Sequence, residues 1–134
     1  MKNIHLNLAF PPTVNSYYTK TRRGIFISKK GREFRDMCAE QCNEQNAYGL
    51  LLSHPLQLDV ILFPPDRRKR DLDNYMKALL DALTTSKVWE DDSLVDGLTV
   101  RRGVITPRGM VSLRISAHDE FIIPNVPTIW DHID

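Results

Sequence analysis

Residues 67–83 read RRKRDLDNYMKALLDAL. Leu72, Met76, Leu79, Leu80 and Leu83 recur at steps that place them on one face of an α-helix, so this face is predicted to be core. Asp73, Lys77 and Asp81 follow one another at steps of four on the opposite side, which puts Lys77 one turn beyond Asp73. Asp71 sits at the predicted helix start, after the extended approach PPDRRKR. Aspartate is a good N-cap, and one cap needs one acid. Asp71 and Asp73 are two, and WEDDSLV at residues 89–95 brings Asp91 and Asp92.

Strand patterns flank this helix. IHLNLAF, residues 4–10, alternates apolar and polar side chains and reads as a strand. PPTVNSYYTKTRRG is a turn-rich loop, and IFIS is a short strand. Ser28 is placed to cap a helix over residues 29–48 with Phe34, Met37, Cys38 and Cys42 on its inner face. HPLQLDVILFPP reads as a strong strand carrying Leu56, Leu58, Val60 and Leu62 on one side. LVDGLTVRRG and MVSLRISAH, residues 94–103 and 110–118, are predicted to pair as a hairpin. The expected fold is α+β: a small mixed β-sheet with two main helices on one side, in a single domain. Residues 1–118 form that domain, and residues 119–134 form a tail or arm in which Trp130 is a candidate anchor.

Composition narrows the class. A chain of 134 residues with 42% hydrophobic content supports one ordinary core. It has no apolar run long enough to span a membrane and no signal-peptide pattern at its start, so a cytoplasmic location and no membrane partner are expected. Cys38 and Cys42 lack metal-site spacing and read as reduced, buried thiols. Net charge is +1, but it is segregated. Residues 20–35 hold seven cations and one anion, residues 81–96 five anions and one cation, and residues 101–114 four cations and no anion. A basic face enclosing an acidic pocket is the expected result. Lys29, Lys30, Arg32 and Arg35 crowd the first turns of a helix, where the helix dipole does not favour cations. Tyr17, Tyr18 and Phe26 flank this cluster and are read first as packing residues, second as platforms for unpaired bases. Asn15 is a turn former or a phosphate contact. Trp89 is expected in the core.

Four carboxylates brought together repel, and a divalent cation removes that penalty. With no His or Cys among the donors, a hard ion is selected, Mg²⁺ or Mn²⁺ as substitute. Such an ion beside cations suits a phosphodiester: it activates water and polarises the phosphate. Lys77 is placed to stabilise developing charge. Arg67, Arg68, Lys69 and Arg70 would hold flanking phosphates, with Arg22, Arg23, Lys29, Lys30, Arg32, Arg101 and Arg102 extending the DNA-binding surface. Two rival classes remain: a branched-DNA-binding module without catalysis, and a metal-dependent glycosyltransferase built on Asp-x-Asp.

DLDNYMKALLDALTTSKVWEDDSLV resembles the signature of RusA-type Holliday junction resolvases, and PPTVNSYY and GREFR are similar to further stretches of that family. The likeness covers residues 10–115. It implies a Mg²⁺-dependent endodeoxyribonuclease that binds four-way DNA junctions as a homodimer and nicks two opposed strands symmetrically. It also implies metal-binding acids at Asp71, Asp73 and Asp92, an essential lysine at Lys77, and an assisting role for Asp91. TTSK, residues 84–87, departs from the Asn-Gly common in that family at this point.

Overall fold

Residues 1–119 are described in the computed structural model; the predicted tail, with Trp130, lies outside them apart from Asp119. The chain forms β1 (Ile4–Leu8), a single helical turn α1 (Val14–Tyr17), β2 (Tyr18–Thr21), β3 (Gly24–Ile27), α2 (Lys29–Glu44) and β4 (Leu56–Phe63). A 3₁₀ turn (Leu72–Tyr75) then leads into α3 (Met76–Thr85), and a second (Asp92–Leu94) into β5 (Val95–Arg102), before β6 (Met110–Ala117) ends the core. The architecture is α+β, with a mixed four-stranded sheet in the order β1-β6-β4-β5. β2 and β3 form a separate antiparallel ribbon.

The predicted hairpin of β5 and β6 does not form. β6 lies antiparallel between β1 and β4, whereas β5 runs parallel to β4 on its other side. Parallel neighbours need a crossover, and α3 supplies it. Residues 103–109 then pass over the end of β4, where the Gly103 and Thr106 N–H groups donate to the Leu62 and Pro64 carbonyls, each at 2.8 Å. Alternation reports which face a strand buries but not which strand lies beside it.

One sheet face is dry. Leu6 and Leu8, Leu56, Leu58, Val60 and Leu62, and Val111, Leu113 and Ile115 pack in a single cluster with the buried faces of the helices. The other face is polar, and on it Arg114 Nη2 reaches Asp59 Oδ2 at 2.9 Å. α2 is shorter than predicted, ending at Glu44, and its inner face is Gly31, Phe34, Cys38 and Cys42. Met37 is 44% exposed rather than core. Both cysteines are free and buried, as expected. Trp89 is fully buried, and its Nε1 donates to Thr84 Oγ1. Among the described residues no helix is long and apolar enough to cross a membrane.

Candidate functional site

The predicted helix start is built differently from a capped helix. Asp71 is extended, and its carbonyl accepts from Asn74 N–H at 3.2 Å to close the 3₁₀ turn, while its side chain makes no capping bond. The capping explanation for Asp71 therefore does not hold. Asp73 lies in the turn itself. Asp71, Asp73 and Lys77 are exposed, and none of their side chains has a hydrogen bond or ion pair among the described residues.

The second acidic pair behaves otherwise. Asp91 caps the turn before β5, its side chain accepting from the Ser93 N–H at 3.1 Å. Hydrogen bonds from the Ser93 hydroxyl and backbone hold its carboxyl below the usual carboxylate range. Asp92 follows, half-buried, at the head of β5. At the tail of β5, Arg102 Nη2 donates to the carbonyl of Arg70, the residue before Asp71, at 2.6 Å. Among the described residues no three His, Cys, Asp or Glu side chains gather in a group that could hold a metal ion. Free carboxylate oxygens at Asp71 and Asp73 still suit Mg²⁺ chemically, since that ion commonly takes one or two carboxylates, keeps several waters and adds substrate phosphate.

The TTSK departure is accommodated without glycine. Lys87 adopts the left-handed conformation, φ 57°, and the Val88 N–H returns to the Leu83 carbonyl, a helix-ending arrangement that usually selects Gly or Asn.

Beside Asp71 the basic residues converge. Lys30 from α2 joins Arg68, Lys69 and Arg70 around a pocket of about 340 Å³ whose other walls include Phe10 and Tyr75. A second pocket of about 320 Å³, lined by Arg67 and Arg102, shares Arg68 and Arg70 with the first. Arg22 and Arg23 lie exposed on the turn between β2 and β3, and Arg101 is exposed on β5. Lys29 is exposed beside Glu33, and Arg32 Nη1 donates to the Ile27 carbonyl. Arg70 is less free than predicted: its side chain is 15% exposed, with the guanidinium on Asp66 and 5.9 Å from the centre of the Phe10 ring.

Two features escaped the sequence reading. Asp66 holds Arg68 and Arg70; hydrogen bonds from the Arg70 guanidinium and the Arg68 N–H bring its carboxyl down to about 2. Its only sequence signal was the four-residue spacing to Arg70. The second is a polar cluster inside the body. The Tyr17 hydroxyl donates to Asp81 Oδ2, which also receives Arg35 Nη2 at 2.6 Å. Tyr17 is fully buried, which rules it out as a base platform, and Tyr18 packs edge-on against it. Phe26 is 50% exposed, and Asn15 is exposed on α1.

Comparison with known proteins places these features. The family model described as Endodeoxyribonuclease RusA matches residues 9–115. The chain is 34% identical over 116 residues to the crossover junction endodeoxyribonuclease RusA of Enterobacteria phage HK97, covering 87% of this chain and 96% of that protein. It is 35% identical to the phage 82 protein of the same name over the same shares. The Escherichia coli K12 protein of that name is 34% identical, again over 87% of this chain and 96% of its own. The chain belongs to the RusA endodeoxyribonuclease family.

Proposed function

We propose that the protein is a Mg²⁺-dependent, structure-selective endodeoxyribonuclease that resolves four-way DNA junctions as a homodimer by paired symmetric nicks. The observation that carries this is the juxtaposition of two free carboxylates, Asp71 and Asp73, with a pocket walled by Lys30, Arg68, Lys69 and Arg70. Acids beside a polyanion-binding surface weaken binding unless they serve a cation. The names of the relatives, crossover junction endodeoxyribonucleases, support the substrate class.

Asp71 and Asp73 are the primary metal donors in this proposal, with Asp92 as third and Asp91, already engaged as a cap, behind it. Bound Mg²⁺ supplies a lowered pKa for an attacking water and polarisation of the phosphate. Lys77, exposed one turn past Asp73, offers a mobile point charge to the reacting phosphate. Arg67, Arg68, Lys69 and Lys30 hold flanking phosphates and fix the strand relative to the acids. A two-fold dimer would match the symmetry of a junction and present equivalent sites to opposed strands.

Branched-DNA binding without cutting is the alternative, favoured by the absence of a three-acid group among the described residues. Asp73→Asn separates the two. Junction binding is expected to persist while cleavage falls at least about 100-fold, on the scale of a lost electrostatic catalytic contact; unchanged cleavage would refute the metal proposal. Asp92→Asn, assayed beside it, is expected to lose cleavage as well, and wild-type rates there would confine the metal set to Asp71 and Asp73.

A further inference from the structure

Asp66 stands five residues ahead of Asp71 and meets cations on both oxygens. Oδ1 accepts from Arg70 Nη1 at 2.7 Å and from the Arg68 N–H at 3.0 Å, while Oδ2 lies 3.3 Å from Arg68 Nε. Arg70 Nη1 also donates to the carbonyls of Asp66 and Arg68, each at 3.2 Å. The loop is thus closed on itself through one half-buried guanidinium, and Arg102 holds the Arg70 carbonyl. Arg68 is left outward, its side chain 83% exposed.

The pocket against this loop is not built for stacking. The Phe10 ring carries the Arg70 guanidinium near one face and meets Tyr75 edge-on at 5.0 Å, and Tyr75 is itself buried. With the rings engaged by the protein, the charged groups left to a ligand are Lys30, Arg68 and Lys69, beside the Thr13 and Ser16 hydroxyls. Guanidinium and ammonium groups converging in a concave site select a phosphate. An unpaired carboxylate there would repel it. A carboxylate bonded to the guanidinium groups instead lowers the freedom those long side chains lose on binding.

We propose that this pocket takes one backbone phosphate of branched DNA, and that Asp66 is a positioning residue that holds its arginine wall in place. The proposal rests on the nuclease reading above and assigns Asp66 neither metal nor catalysis.

The opposing expectations are sharp, because removing an acid near DNA should tighten binding on charge alone. Equilibrium binding of a fluorescent four-way junction, measured in chelator across a salt series, tests it. Asp66→Asn is expected to weaken binding at least fivefold although the chain gains positive charge, and Asp66→Glu to restore most of the loss. Asp36→Asn, which removes an exposed acid on α2, should leave binding unchanged or tighter. Lys30→Ala, an exposed side chain whose loss leaves the loop folded, should weaken binding and reduce the salt slope by about one. Asp66→Asn binding as tightly as the native chain overturns the positioning role, and an unchanged slope in Lys30→Ala overturns the pocket. Circular dichroism checks the fold of each variant; if Asp66→Asn does not fold, Lys30→Ala decides. A native chain with no preference for the junction over linear duplex would instead overturn the nuclease reading.

Discussion

The side chains at the basic run and at the helix crossing show how one residue type takes different roles through its partners. Among the described residues the Asp71 and Asp73 side chains are unpartnered, Asp66 is held by two arginines, Asp81 by Arg35 and Tyr17, and Asp91 is a cap. Asp81 joins three helices through Tyr17 and Arg35. Tyr17→Phe removes the donor to Asp81 and the acceptor of Arg35 Nε, which is 2.7 Å away. A loss of about 1–3 kcal/mol is expected in chemical denaturation, the usual cost of stranding buried polar partners. The same residue sets a pH dependence. Burial first, then the Asp81 hydrogen bond, push the Tyr17 phenol well above its ordinary value. A group whose folded pKa is raised contributes stability that is complete below its unfolded pKa, about 10, and is lost as pH rises towards the folded value. Alkaline titration of stability should therefore decline above about pH 10 in the native chain and less steeply in Tyr17→Phe.

At the level of elements, α2 is fixed at both ends by side chains that a periodicity count does not see. Ser28 accepts from the Gly31 N–H and donates to the Ser16 carbonyl. Gly31 lets the helix start press on α1: a Cβ there would lie 2.5 Å from the Tyr17 carbonyl oxygen and 2.8 Å from Ile27 Cγ2. Gly31→Ala should accordingly lower the melting temperature, with overpacking of about 1–3 kcal/mol outweighing the roughly 1 kcal/mol gain in helix propensity. Near the other end, Gln41 and Gln45 occupy the free edge of β1, bonding the Ala9 N–H and the Asn7 backbone. An unpaired edge invites association, and here a helix covers it.

For the whole molecule, the four cations around the main pocket set an expectation in solution. Each phosphate neutralised contributes about −0.9 to the slope of log K against log salt, so the one phosphate proposed for this pocket accounts for about −0.9, and the exposed Arg22, Arg23, Arg67 and Arg101 beyond it should steepen the slope further. A flat dependence on junction DNA would refute the basic face. Cleavage should vanish in chelator and return with Mg²⁺ or Mn²⁺. The sequence by itself determined the local order: the apolar stripe of α3, the alternation of β1, β4 and β6, the Ser28 cap, and the burial of Trp89. Those follow from spacing and side-chain type within a few residues. Tertiary structure alone decided that β5 joins β4 in parallel, that Lys30 lines one pocket with Arg68, and that Arg35 meets Asp81. Each of these depends on contacts between segments far apart in the chain, and neither periodicity nor propensity encodes which distant segment becomes a neighbour.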